Sequence, residues 1–164
     1  MPRPALAALA LLAGCALNNM ASDADGGLDF DIGGIRLRVS SGTGRVMGGS
    51  LGLYLTDQPD ACLAVTQVPV GMAAIFSLRV APQGDGTKSA SVVRGRIVPG
   101  PGEAVGEIRA QTGGVETASH EAIDGTVTWK DNDNGTYTIV SLDVGFDGSA
   151  NRLRATELTV PPCQ

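Results

Sequence analysis

Alternation of apolar and polar residues dominates the chain from residue 28 onward. Residues 28–32 alternate between apolar side chains and aspartates, and residues 35–39 alternate between apolar side chains and arginines. A period of two is typical of strands that bury one face and expose the other. The start of this region is therefore predicted to consist of β-strands.

Further strands are predicted along the rest of the chain. They cover residues 51–55, 62–68, 73–81, 91–98, 104–111, 125–130, 136–146 and 151–160. Glycine- and proline-rich segments separate them, as expected of turns. No segment has a convincing helical period, although residues 115–123 could hold one helical turn. The pattern predicts an all-β fold: an antiparallel β-sandwich of about eight to ten strands, with a closed β-barrel as the alternative.

The first fifteen residues follow a different pattern. Arg3 precedes an unbroken apolar run over residues 5–13, which is too short for the roughly 20 residues that span a bilayer. The run ends in Leu12-Ala13-Gly14-Cys15, which resembles the lipobox of bacterial lipoproteins. The resemblance implies that residues 1–14 are a signal peptide and that Cys15 is lipidated. The alternatives are a signal peptide without lipidation and a buried apolar helix.

The same resemblance implies where the domain lies. Residues 15–27, which have no apolar period, are expected to be the lipidated N-terminus and a flexible tether, and residues 28–164 are expected to form a single domain. The expected partner is a membrane, reached through the lipid on Cys15. Ala16 stands where an aspartate would favour retention at the inner membrane, so the resemblance favours the outer membrane of the cell envelope.

The cysteine count predicts one disulfide. The chain has three cysteines, and with Cys15 assigned to lipid only Cys62 and Cys163 remain. In an oxidising compartment we expect these two to pair, with two free thiols as the alternative. Two cysteines and one histidine fall short of a four-ligand zinc site, so no metal site is predicted, and no cofactor is predicted either.

The charge and the aromatic content of the chain argue against two classes of partner, nucleic acids and sugars. The formal net charge is −5 and the basic residues are scattered, which argues against a nucleic-acid partner. One Trp, two Tyr and three Phe are few for a sugar-stacking groove. Trp129 shares a strand face with Val127, so we expect it in the core.

Three features of the sequence resemble sites of catalysis or metal binding. Gly48-Gly49-Ser50-Leu51-Gly52 matches the G-x-S-x-G pattern of hydrolases, but strand pattern follows Ser50, so a hairpin loop is favoured. His120, the single histidine, is interpreted as a solvated loop residue. Asp131-Asn132-Asp133-Asn134-Gly135 has its glycine fifth rather than sixth, so a hairpin turn is favoured over a calcium loop.

These observations predict a membrane-anchored envelope lipoprotein that is a non-enzymatic binding or structural module. An envelope protein or a small ligand would be its partner. Two alternatives remain open: a β-barrel carrier of a small hydrophobic ligand, and a secreted serine hydrolase that uses Ser50 and His120.

Overall fold

Ten strands and one short helix make up the regular structure of residues 28–81 and 86–163, which the computed structural model describes. The elements are β1 (Asp29–Ile32), β2 (Ile35–Arg38), β3 (Ser41–Met47), β4 (Ser50–Thr56), α1 (Ala61–Thr66), β5 (Met72–Val80), β6 (Thr87–Val92), β7 (Glu103–Thr112), β8 (Val115–Asp131), β9 (Tyr137–Phe146) and β10 (Arg152–Val160). The prediction of an all-β fold is confirmed.

Eight of the strands form one curled sheet, a half-barrel. Its order is β10-β9-β8-β6-β7-β5-β4-β3, and β8 also pairs with β7. Neighbouring strands are antiparallel except for a short parallel contact between β6 and β7. The two edges meet near the C-terminus, where Gly44 N donates to Pro161 O and Cys163 N donates to Gly44 O, each at 2.9 Å. The remaining strands, β1 and β2, form a separate hairpin.

The β1–β2 hairpin shares one core with the curled sheet. Its residues Ile32, Ile35 and Leu37 are buried in the same cluster as Trp129 and Phe76. Trp129 is 1% exposed, which confirms its predicted place in the core. The strands therefore divide into one large curled sheet and a small hairpin that completes its core.

Helix α1 corrects the strand predicted over residues 62–68. Asp60 caps the helix, since its Oδ1 accepts a hydrogen bond from Leu63 N at 3.0 Å. Ala61 and Ala64, three residues apart, are buried on one helix face. The cap and the small buried face outweigh the strand preference of Val65 and its β-branched neighbours.

The strand predicted over residues 91–98 is also corrected, because β6 ends at Val92. Gly95 has a positive φ of 75°, which interrupts an extended chain. The following segment is held by ion pairs such as Arg96 to Glu103 at 2.7 Å. Residues 93–99 therefore form an irregular segment on the outside of the sheet.

The helical turn considered for residues 115–123 is wrong, since this segment belongs to β8. Gly113 and Gly114 both have positive φ, as a two-residue hairpin turn between β7 and β8 requires. Once that turn forms, Val115 faces Thr112 and the segment continues β7 as an antiparallel partner. The turn predicted at 131–135 is confirmed between β8 and β9.

The sulfur atoms of Cys62 and Cys163 lie at bonding distance, in the pairing that the cysteine count predicts. Their Cα atoms are 5.2 Å apart, within the usual range for a disulfide. The bond joins α1 to the segment that follows β10 and therefore lies beside the place where the sheet edges meet.

Candidate functional site

A groove of about 530 Å³ lies on the face of β4, β5 and β7 that points away from the core. Tyr54, Ser77, Arg79, Glu107 and Arg109 form its floor, and we call it the outer groove. Its volume is within the range of small-molecule sites. Helix α1 borders one side and the 93–99 segment borders the other.

Strand alternation places these side chains on one face. Phe76 and Leu78 of β5 point into the core, so Ser77 and Arg79 point outward. Ser77 pairs with Glu107 in register across β5 and β7. Residues more than twenty positions apart in the sequence thus become neighbours on the outer face.

Gly52 determines how the side chain of Tyr54 lies in the outer groove. The ring of Tyr54 lies so close to Gly52 that a Cβ there would collide with it. Because Gly52 has no side chain, the ring and hydroxyl of Tyr54 can lie over it along the sheet surface, in the floor of the groove.

The groove carries more positive than negative side chains, in a protein of net charge −5. Arg79 donates to Ile97 O at 3.1 Å, and no described carboxylate lies within ion-pair distance of it. Glu121, one of the two acids in the lining, already accepts a hydrogen bond from Gly95 N. Arg79 therefore retains a positive charge that the described residues do not neutralise.

Arg109 has a buried donor without an acceptor. Its Nη1 lies 3.6 Å from Glu107 Oε1, a long ion pair, while its Nε is buried and has no hydrogen-bond partner. Leaving a buried donor unsatisfied costs about 1–3 kcal/mol, and more for a charged group. A ligand in the groove cannot reach this buried atom, but the Arg109 side chain as a whole is 36% exposed. Its other guanidinium N–H groups can therefore bind a carboxylate or phosphate.

Apolar side chains lie beside these arginines. Val65 of α1, Ile97 and Val105 all line the groove, and Ile97 is among the exposed large hydrophobic residues. The site can therefore contact both a charged group and a short apolar chain.

The structure does not bring the two candidate hydrolase residues together. Ser50 begins β4 after the Gly48-Gly49 turn and is almost fully buried, in the hairpin that the sequence favoured. His120 lies in β8, which is not a neighbour of β4 in the sheet.

His120 is not the solvated loop residue that the sequence suggested. Its Nδ1 lies 2.8 Å from Asp147 O and its Nε2 lies 3.2 Å from Gly33 O. The imidazole thus connects the tip of the β1–β2 hairpin to the turn between β9 and β10. Both ring nitrogens face main-chain oxygens, which fits a structural contact.

The turn between β8 and β9, which contains Asp131 and Asp133, is held by hydrogen bonds among its own residues. Asn134 Oδ1 accepts from Thr136 N at 3.1 Å, and Gly135 N donates to Asn132 O at 2.9 Å. Across residues 28–81 and 86–163, no group of three or more His, Cys, Asp or Glu side chains is placed to hold a metal ion.

The predicted lipidation site, Cys15, lies outside the described residues, and so do the predicted signal peptide and tether. Within the part of the chain that is described, no helix has the length and hydrophobicity needed to cross a bilayer. Comparisons with family models, with curated proteins and with solved structures found no match for this chain.

Proposed function

We propose that the protein is a lipid-anchored cell-envelope protein whose β domain is a non-enzymatic binding module. Its ligand, bound in the outer groove, is a small molecule with an anionic group and a short apolar portion. The two arginines of the groove carry this proposal, since Arg79 has no ion-pair partner among the described residues and Arg109 has only a long one, at 3.6 Å. The lipobox resemblance at Cys15 supports the anchor and the location in the envelope, at the outer membrane.

The chemistry of the groove supports an anion. Arg79 and Arg109 both offer donors that the described residues leave unused, while Val105 and Ile97 offer apolar contact. A carboxylate or phosphate oxygen would accept hydrogen bonds from the guanidinium groups of Arg79 and Arg109, and charge-assisted bonds of this kind are stronger than neutral ones.

The packing of the core favours a ligand site on the surface over one inside the domain. Trp129, Phe76 and Phe146 are buried between the sheet and the hairpin, and the two phenyl rings meet edge to face at 6.0 Å. Side chains of the protein itself fill the space between the sheet and the hairpin. The alternative function, a β-barrel that carries a small hydrophobic ligand, is therefore less well supported.

Ligand binding is tested on residues 16–164, which contain every described strand, the helix and the disulfide. Hexanoate and hexylammonium share an apolar chain and differ in charge. We expect hexanoate, but not hexylammonium, to raise the melting temperature of the protein and to give a binding isotherm in titration calorimetry. Arg109→Gln should weaken hexanoate binding by roughly tenfold or more, the equivalent of one charge-assisted hydrogen bond.

Arg45→Gln serves as the matched control, because Arg45 lies on β3 outside the groove and should leave binding unchanged. Equal binding of both compounds, or binding that Arg109→Gln leaves intact, would refute the anionic ligand.

The anchor is tested by replacing the lipidated residue. In its host, the Cys15→Ser chain should remain an uncleaved precursor that takes up no radiolabelled palmitate, whereas the unaltered chain takes it up. A Cys15→Ser chain that is processed normally and stays bound to membranes would contradict the anchor.

A further inference from the structure

The chain enters the described domain at Leu28, beside the end of β4. Leu28 O accepts a hydrogen bond from Val39 N at 2.8 Å, and Ser40 N donates to Thr56 O at 2.8 Å. Strands β3, β5 and β8 begin on this side of the sheet, and β4 and β7 end there. We call this side the entry end.

Exposed apolar side chains gather at the entry end. They account for five of the nine large hydrophobic residues that are exposed in the described parts of the chain: Leu63, Val68, Val70, Met72 and Val115. We call these five residues the entry-end patch. Val70 is 100% exposed and Met72 is 80% exposed, so the fold itself leaves both uncovered.

The patch is one continuous surface. Val68 packs against Gly114, where a Cβ would collide with its methyl group. Gly113 N donates to Gly71 O at 2.9 Å, which fastens the β7–β8 turn to the loop before β5. Leu63, Val68 and Val70 also line a shared cavity of about 220 Å³. The patch is therefore held in shape by main-chain contacts.

Charge at the patch favours an apolar contact. The segment Val68-Pro69-Val70-Gly71-Met72 contains no charged residue. The carboxylates at its border are already engaged, since Asp60 caps α1 and Glu116 accepts a hydrogen bond from Ser119. Contiguous exposed apolar surface of this kind marks an interaction site in soluble domains.

We infer that the entry-end patch contacts the lipid bilayer, with Val70 and Met72 placed at the boundary between headgroups and acyl chains. The inference rests on the lipid anchor proposed above. Residues 15–27 can reach at most roughly 45 Å even when extended, so an anchored chain keeps its entry end within about that distance of the membrane. At such a high effective concentration, a patch too small to bind a bilayer alone can remain in contact with it.

The test uses the full lipidated chain, purified from host membranes and reconstituted in vesicles of phosphatidylethanolamine with a minor share of phosphatidylglycerol. The vesicles contain lipids brominated near the start of the acyl chain, which quench nearby indoles. Two variants are compared, Val70→Trp in the patch and Val46→Trp at the far end of β3, where the side chain is also exposed. Trp129 is buried and supplies the constant background.

We expect the Val70→Trp variant to be quenched several-fold more strongly than the Val46→Trp variant. Equal or negligible quenching in a lipidated chain that floats with the vesicles would overturn the membrane contact and leave the anchor standing. A blue-shifted indole without quenching would also overturn it, since a protein partner or a second copy would then cover the patch. A chain that carries no lipid and does not float would refute the anchor, and the inference with it.

Discussion

Gly44 is the residue through which β3, at one edge of the curled sheet, bonds to the segment that follows β10. Its N–H and C=O both bond to the segment after β10, and the ring of Tyr137 lies directly over its Cα. Burial raises the pKa of the Tyr137 phenol, and the nearby Asp131 carboxylate raises it further. A side chain at position 44 would have to displace this ring.

Gly44→Ala is therefore expected to lower the free energy of unfolding by about 1–3 kcal/mol, as overpacking does. Urea unfolding followed by Trp129 fluorescence measures the loss. The control is the same change in a Tyr137→Ala background, where the space is free and the loss should largely disappear. Equal losses in both backgrounds would show that the ring does not determine the effect.

Three neighbouring strands are connected by charges as well as by main-chain hydrogen bonds. Arg152 of β10 pairs with Asp143 of β9 and with Asp124 of β8, and Arg154 lies 3.2 Å from Asp143. The hydrogen bond from Arg152 lowers the pKa of the Asp143 carboxyl below its usual 3.8, and the charges of both arginines act in the same direction. The Asp143 side chain is 43% exposed, so solvent weakens the stabilisation.

This pairing stabilises the sheet when Asp143 is ionised. A lowered folded-state pKa contributes stability above the unfolded-state value, and that contribution is lost as the pH falls through the folded-state value. Asp143→Asn should cost up to about 1 kcal/mol at neutral pH, and this cost should shrink as the pH falls below the usual Asp pKa of 3.8 and through the lower folded-state pKa. Denaturant unfolding at several pH values measures the difference. Asp133→Asn, in the exposed β8–β9 turn, is the control and should show no such trend.

Across the whole molecule, the disulfide joins parts of the chain that are 101 residues apart. Such a long loop restricts the unfolded chain strongly, by up to about 4–5 kcal/mol on the chain-entropy model. It also holds α1 against the outer face of the sheet, where α1 forms one side of the outer groove.

Reduction is expected to lower the denaturation midpoint of the protein. A Cys62→Ser, Cys163→Ser double variant should show the same low midpoint whether or not dithiothreitol is present. If the unaltered protein also proves insensitive to dithiothreitol, the two cysteines are not bonded in solution.

Two of the errors in the predicted elements have a common physical cause. Residues 62–68 have strand-forming side chains, but a cap at Asp60 and contact with the outer face make them helical. Residues 115–123 have no clear period, but a glycine turn brings them alongside β7. In each case the local sequence allows two conformations of similar energy. Contact with another part of the fold, the sheet face in the first case and β7 in the second, decides between them.

The sequence by itself determined the all-β class, the main turns, the burial of Trp129 and the pairing expected of Cys62 with Cys163. The class, the turns and the burial follow from local alternation and turn residues, and the pairing follows from the cysteine count once the lipobox resemblance assigns Cys15 to lipid. None of these requires knowledge of distant contacts. Tertiary structure alone decided the curl of the sheet, the role of His120, the outer groove and the entry-end patch. The groove joins Tyr54, Ser77 and Arg109 through strand register, and no local pattern encodes which distant strands will pair.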